Sequence, residues 1–89
     1  MSWFVYMIEA SDNSYYTGIT TDLDRRFNQH ANGTGAKYFR GRKPLKIIYV
    51  EHHLDRSSAS VREALIKKKS HLQKQQLAGS QMDTDGLKS

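Results

Sequence analysis

Residues 3–20 read WFVYMIEASDNSYYTGIT and decide the fold of this 89-residue chain. The run from Trp3 to Ile8 is apolar and aromatic, and the run from Tyr15 to Thr20 is also rich in residues that favour strands. The polar residues from Ser11 to Ser14 supply a turn between the two runs. The sequence therefore predicts a β-hairpin at the start of the chain.

The length of the hairpin turn decides whether Tyr6 and Tyr16 lie on the same face of the sheet. Successive strand residues point to opposite faces of the sheet. The two phenols therefore share a face only if the two residue numbers in each cross-strand pair have an even sum. A two-residue turn at Asp12-Asn13 would separate them. If Tyr6 and Tyr16 belong to one site, the turn must have an odd length, as in the three-residue loop Asp12-Asn13-Ser14, or contain a bulge, and we predict one of these.

The segment after the hairpin carries the signals of a helix. Apolar and aromatic residues recur at helical spacing between positions 23 and 31. Thr21 or Asp22 can cap the start of this helix, and Asn32-Gly33 is a stop signal. Residues 33–44 contain three glycines and the only proline, so we expect an ordered but irregular loop there.

Residues 45–50, Leu-Lys-Ile-Ile-Tyr-Val, predict a third strand. A second long helix with a short continuation follows, capped by Asp55 or Ser57. The predicted class is α+β, in the order β-β-α-β-α with a possible last helix, and about three antiparallel strands flanked by helices. We expect one domain over residues 1–77 and, because periodicity is absent, a flexible tail over residues 78–89.

Composition excludes several classes of protein. The chain has no cysteine, which excludes disulfides, Cys-based zinc sites and thiol catalysis. No apolar run approaches the roughly 18 residues of a membrane span, and the N-terminus lacks the charged and apolar regions of a signal peptide. We therefore expect a soluble, cytoplasmic protein that makes no contact with membranes.

Positive charge is concentrated in the middle of the chain, where residues 36–75 carry eleven basic and three acidic side chains. Five cations and two aromatic residues fall within the basic segment, residues 37–46, which has no acid: Lys37, Tyr38, Phe39, Arg40, Arg42, Lys43 and Lys46. Interleaved cations and aromatic rings favour contacts with phosphates and unpaired bases, with little sequence specificity. The alternative is a flexible, solvated loop.

Tyr6, Tyr16, Arg26, His30 and Glu63 together suit the cleavage of a phosphodiester. That reaction needs a nucleophilic water, a proton acceptor and positive charge for the transition state. Arg26 offers permanently charged donors to phosphate, whereas a phenol accepts a proton only if a cation lowers its pKa from about 10. Glu63 is the candidate to hold Mg²⁺ or Mn²⁺, because these ions prefer oxygen ligands and retain several waters.

Each of these residues also has a structural interpretation. Tyr6 in an aromatic strand could be a core residue, Arg26 a surface arginine, and His30 the decoration of a helix end, where its positive form is favoured. Glu63 lies on or beside the apolar stripe of the second helix, where a carboxylate needs a partner. A salt bridge to Arg62, Lys67 or Arg26 is the alternative to a metal.

The motifs resemble those of the GIY-YIG nucleases. Phe4-Val5-Tyr6 stands where that family has its first tripeptide, and Tyr16-Thr17-Gly18 stands where it has its second. Arg26 and His30 look like the family's helix residues, and Glu63 resembles its metal-binding glutamate.

The resemblance covers most of the chain, residues 3–72. The string from Gly35 to Arg42, followed by Pro44, is similar to the small, stand-alone YhbQ-like bacterial branch. One departure concerns an asparagine that many members carry late in the site, because no asparagine follows Asn32 here.

The resemblance implies a DNA endonuclease with one divalent metal, acting in repair or on non-standard DNA. Tyr6, the expected base, and Tyr16 would contact the water, Arg26 the phosphate and Glu63 the Mg²⁺ or Mn²⁺, while His30 assists a proton. The alternatives are a non-catalytic module that binds DNA or RNA and a domain that recruits a larger nuclease. A protein partner and the oligomeric state stay open.

Overall fold

The computed structural model describes the backbone of residues 2–88 and the side chains of residues 2–81. The elements are β1 (Trp3–Ala10), β2 (Tyr15–Thr20), α1 (Leu23–Ala31), a 3-10 turn (Lys37–Phe39), β3 (Pro44–His53), α2 (Arg56–Lys67) and α3 (His71–Lys88). The predicted α+β class and element order are therefore confirmed. Within the described residues, no helix has both the length and the apolar character needed to cross a membrane.

The sheet has the order β2-β1-β3, and both outer strands run antiparallel to β1. The central strand is buried on both faces, which explains why its sequence is an unbroken apolar run. On one face, Val5 and Met7 pack against Ala59 and Ile66 of α2. On the other face, buried residues of β1 pack together with residues of α1 and the 3-10 turn; these are Tyr6, Ile8, Ala10, Leu23, Phe27 and Phe39.

The register of the hairpin places Tyr6 and Tyr16 on the same face of the sheet. Tyr6 pairs with Gly18 and Ile8 pairs with Tyr16, so the paired numbers add up to an even number and the prediction is confirmed. The three-residue loop begins one position earlier than expected, because the Ala10 N–H donates to the Ser14 carbonyl at 2.9 Å. Asn13 takes the left-handed conformation, with φ of 68°, that closes such a loop.

Both predicted helix caps are aspartates. Asp22 accepts a hydrogen bond from the Arg25 N–H at 3.0 Å, and Asp55 accepts one from the Ser58 N–H at 2.8 Å. Each bond satisfies an amide that would otherwise lack a partner in the first turn, and it fixes where α1 and α2 begin. The predicted stop signal also operates, because Gly33 adopts a φ of 87° just after α1.

The last helix is longer than the periodicity predicted. Helix α3 reaches Lys88, Ala78 is buried in the core, and the Gln81 side chain bonds to Val50. The Val50 N–H donates to Oε1 of Gln81 at 3.1 Å, and Nε2 of Gln81 donates to the Val50 carbonyl at 2.8 Å. Gln81 thus covers part of the free edge of β3. The flexible tail over residues 78–89 stays a prediction, and Ser89 lies outside the described residues.

We expect Ile66→Ala to lower the free energy of unfolding by roughly 2–5 kcal/mol, because it leaves a cavity between α2 and the sheet. The neighbouring Leu65→Ala is the matched control, since Leu65 is half exposed and its truncation should cost less than about 1 kcal/mol. Denaturant unfolding followed by circular dichroism measures both. Equal losses in the two variants would contradict the packing described here.

Candidate active site

Tyr6 and Gly18 are paired across β1 and β2, and the tyrosine ring lies directly over the glycine. A Cβ atom at position 18 would stand 2.6 Å from the Tyr6 hydroxyl and 2.8 Å from Cζ. Tyr6 is only 1% exposed, so its ring has no room to move aside. The glycine of Tyr16-Thr17-Gly18 is therefore required by the position of the Tyr6 phenol.

Tyr16 lies on the same face of the sheet, as the hairpin parity requires. Its ring centroid is 6.3 Å from that of Tyr6 and 5.1 Å from that of His30. The two phenols and the imidazole therefore form one cluster that joins β1, β2 and the end of α1.

His30 is an interior residue, 1% exposed, and both of its ring nitrogens are hydrogen-bonded. Nε2 lies 2.9 Å from the Tyr6 hydroxyl, and Nδ1 accepts a bond from the Ala36 N–H at 3.2 Å. The Phe39 ring packs 4.7 Å away. Burial, followed by the nearby charge of Arg26, lowers the pKa of His30 to about 4. The imidazole is consequently neutral at pH 7.

Arg26 lies one turn before His30 on α1, so both side chains project to the same side of the helix. Nη1 of Arg26 donates to Oε1 of Gln29 at 3.0 Å, whereas Arg25 is exposed. Arg26 therefore faces the tyrosine cluster, and Gln29 fixes its guanidinium. The sequence alone gave no signal for that role of Gln29.

The hydroxyl of Tyr6 is held in its neutral form in the free protein. Burial raises the pKa of Tyr6 to about 12, Tyr16 and Glu63 add to the increase, and Arg26 opposes it. A base role for Tyr6 therefore needs a further cation next to the hydroxyl, beyond Arg26. At rest the phenol carries a proton that it can donate in a hydrogen bond, and its role as a base stays a prediction.

Glu63 projects from α2, the helix that also buries Ala59 and Ile66. Its side chain is 22% exposed, and Lys67 Nζ lies 3.3 Å from Oε2. The lysine pair that the sequence offered as an alternative is thus present, although Lys67 is itself half exposed and such a pair stabilises little. The Glu63 charge contributes to the raised pKa of Tyr6, so its field reaches the tyrosine cluster.

The donors around Glu63 suit a hard cation that keeps most of its water. Within the described residues, no three histidine or acidic side chains come together as a closed metal site. A single carboxylate fits Mg²⁺ or Mn²⁺, whose shells can be completed by water and by substrate phosphate. The same set does not fit zinc, which favours nitrogen and sulfur ligands.

In the basic segment, residues 37–46, some side chains are exposed to solvent and others are bonded to the hairpin turn. Four of its cations are exposed: Lys37, Arg40, Lys43 and Lys46. Arg42 is held by an ion pair with Asp12 at 3.1 Å, and its guanidinium lies 4.2 Å from the centre of the Tyr38 ring. The Tyr38 hydroxyl donates to Oγ of Ser14. These contacts tie the segment to the hairpin turn.

Phe39 is too buried to stack on a base. The sequence suggested that both aromatic residues of the basic segment stack on bases, but Phe39 is buried against His30 and Tyr16. The 3-10 turn rotates Phe39 inwards and leaves Tyr38 half-buried at the surface. A cleft of about 690 Å³ lies between this turn and the end of α1, with Arg42 and Lys43 on its wall.

A second polar cluster lies at the far end of β3. Glu51 accepts hydrogen bonds from the Tyr49 hydroxyl at 2.7 Å and from Nε of Arg62 at 3.1 Å, and it pairs with His53 at 2.6 Å. These partners hold the pKa of Glu51 below its usual value against the opposing effect of burial. Because the donors occupy both oxygens, the cluster joins β3 to α2 and leaves no open carboxylate.

The chain is similar to proteins of one family over most of its length. The family described as the GIY-YIG catalytic domain matches residues 2–76. A UPF0213 protein of Haloquadratum walsbyi is 49% identical over 75 residues, which are 84% of each chain. A UPF0213 protein of Cronobacter sakazakii is 42% identical over 87 residues, covering 98% of this chain and 92% of the relative.

Two structures solved by NMR in solution share the fold. The UPF0213 protein BH0048 from Bacillus halodurans has a TM-score of 0.57 and 42% identity, over 89% of this chain and 84% of that one. The protein EF2693 from E. faecalis has a TM-score of 0.62 and 38% identity, over 98% and 88% of the two chains. The β2-β1-β3 sheet with its helices is thus shared with experimentally determined relatives.

The buried His30 should make the protein less stable in mild acid. Its pKa is about 4 when folded and 6.5 ordinarily, so the unfolded chain binds an additional proton below pH 6.5 and stability falls as the pH drops. Between pH 7 and 5 the loss from this residue should be about 2 kcal/mol. Urea unfolding at the two pH values measures it. His30→Gln should show a weaker pH dependence than the native protein, and an equal dependence in both would contradict the assignment.

Proposed function

Because this chain belongs to the GIY-YIG family of catalytic domains, we propose that it is a Mg²⁺- or Mn²⁺-dependent endonuclease that hydrolyses phosphodiesters in DNA. The observation that carries the proposal is the placement of Tyr6 over Gly18, with Tyr16 and His30 packed beside it and Arg26 close enough to act on its pKa. Such a cluster of phenols beside a fixed guanidinium and a nearby carboxylate suits hydrolysis of an anionic ester.

The exposed cations of the basic segment would bind the substrate. Lys37, Arg40, Lys43 and Lys46 offer charge to phosphates without fixing a base sequence. Because Phe39 of the same segment packs on His30, the substrate strand bound there would lie next to the tyrosine cluster. This arrangement favours recognition of DNA shape, and the proposed role is in repair or in processing of non-standard DNA.

Arg26 would bind the scissile phosphate. Its guanidinium is held by Gln29, so its direction is set before substrate arrives, and it would stabilise the charge that grows on the non-bridging oxygens. Tyr6 would orient the attacking water and, once its own proton has been released to solvent, would accept the water's proton at its hydroxyl oxygen. His30, in contact with that oxygen at 2.9 Å, assists by keeping the phenol in place. Tyr16 would pack against Tyr6 and His30 beside the reacting phosphate.

Glu63 would hold the metal ion, and bound Mg²⁺ or Mn²⁺ would supply positive charge to the reacting oxygens. The exposed Lys67 would then exchange its contact with Glu63 for solvent. Since Tyr6 is neutral in the free protein, added positive charge near its hydroxyl is also what a base role for Tyr6 would require.

A non-catalytic binding module is the second candidate. The observations that favour it are the raised pKa of Tyr6 and the pairing of Glu63 with Lys67. A DNA- or RNA-binding domain, or one that recruits a larger nuclease, would keep the basic segment and need no open carboxylate. The binding module could take RNA as well as DNA, and the recruiting domain would have a protein partner. For either candidate we propose a cytoplasmic location.

Glu63→Gln should lower the rate of cleavage by about 10²- to 10³-fold, because a metal contributes several kcal/mol to such a transition state. The assay uses supercoiled, branched and single-stranded DNA at low salt, with and without Mn²⁺ or Mg²⁺. Asp24→Asn is the matched control, since Asp24 is an exposed carboxylate in the first turn of α1.

Binding measured in parallel separates the two candidates. Metal-dependent cleavage that is lost in Glu63→Gln, with binding and the Asp24→Asn activity retained, supports the nuclease. Binding without cleavage by the native protein on any of these substrates would contradict it and favour the binding module.

A further inference from the structure

We infer that the Ala36 N–H fixes His30 as the neutral tautomer protonated at Nε2, so that His30 donates its hydrogen bond to the Tyr6 hydroxyl oxygen. This inference concerns how the proposed nuclease site works and rests on that proposed function. Its consequence is that His30 positions Tyr6 and does not take the Tyr6 proton.

The tautomer follows from the two partners of the ring. A backbone N–H can only donate, so Nδ1, which lies 3.2 Å from the Ala36 nitrogen, must present its lone pair. A neutral imidazole carries one proton, and that proton must then be on Nε2. Nε2 lies 2.9 Å from the Tyr6 oxygen, which therefore accepts. The doubly protonated ring would leave two donors facing each other at Nδ1.

The loop after α1 is built to bring this amide to the ring. The N–H groups of Thr34 and Gly35 both donate to the Gln29 carbonyl, at 3.0 and 2.8 Å, and they pin the loop to the end of the helix. Gly35 allows the approach, because a Cβ there would lie 2.9 Å from both the Cα and the nitrogen of His30 and would collide with Nδ1. The glycine thus places Ala36 against the imidazole.

The direction of the bond decides where the Tyr6 proton goes. With Nε2–H as donor, the phenol keeps its own O–H free to point away from His30. If Tyr6 loses that proton, the Nε2–H bond stabilises the phenolate. The proton itself must be exchanged with water or substrate, since no lone pair of His30 is open to receive it.

The basic segment begins immediately after Ala36, so the backbone that would bind nucleic acid is continuous with the backbone that orients His30. DNA bound to this segment would therefore be linked to Tyr6 through two hydrogen bonds, one from the Ala36 N–H to His30 and one from His30 to the Tyr6 hydroxyl. This chain of contacts makes Gly35, Ala36 and His30 positioning residues for the tyrosine.

Nitrogen-15 NMR of the histidine rings tests the tautomer in the native protein at pH 7. We expect His30 to show a protonated Nε2, an unprotonated Nδ1 and a coupling from the Ala36 N–H to Nδ1. Tyr6→Phe should keep this pattern, because the loop sets it. A proton on Nδ1, or a tautomer that changes in Tyr6→Phe, would overturn the inference.

A kinetic comparison tests the functional consequence separately. His30→Gln can donate an amide N–H to Tyr6 and accept from Ala36, so it should lose less than about tenfold in cleavage rate, whereas His30→Phe should lose about 10²-fold or more. Equal, large losses in both variants would contradict a positioning role. If the native protein does not cleave DNA, the proposed function fails while the NMR result still decides the tautomer.

Discussion

The structure depends on the packing of the Tyr6 phenol over a glycine in the neighbouring strand. Gly18 leaves the space that the Tyr6 hydroxyl occupies, and His30 holds that hydroxyl from the end of α1. One buried side chain thereby joins two strands and a helix. Any larger residue at position 18 would displace the ring, so the spacing of the two tyrosine motifs is a steric requirement as well as a chemical one.

Local rules predicted much of this architecture from the sequence. The aspartate caps and the stop at Gly33 follow from helix chemistry that involves only neighbouring residues. The hairpin parity was predicted from the requirement that Tyr6 and Tyr16 share one site, because turn chemistry alone also allowed a two-residue turn. By contrast, the part of helix α3 after Leu77 had no periodic signal, because its described contacts with the sheet come from a few residues such as Ala78 and Gln81.

Contacts between distant residues were beyond the reach of sequence patterns. Phe39 lies among cations, which suggested a surface role, yet the 3-10 turn buries it on His30. The hydrogen bond from Ala36 to His30 is donated by a backbone amide, so the side chain at position 36 gives no sign of it in the sequence. For Glu63, helical spacing placed the carboxylate near the apolar stripe and offered Lys67 as a partner, but its influence on the pKa of Tyr6 required the three-dimensional structure.

The most direct test of this account is the rate of metal-dependent DNA cleavage by Tyr6→Phe, with DNA binding measured on the same samples. Removing one hydroxyl leaves the ring over Gly18, so we expect cleavage to fall by about 10²-fold or more with little change in binding. Tyr15→Phe is the matched control, because Tyr15 stacks on His71, away from the cluster. Unchanged cleavage by Tyr6→Phe would contradict the central role of this phenol.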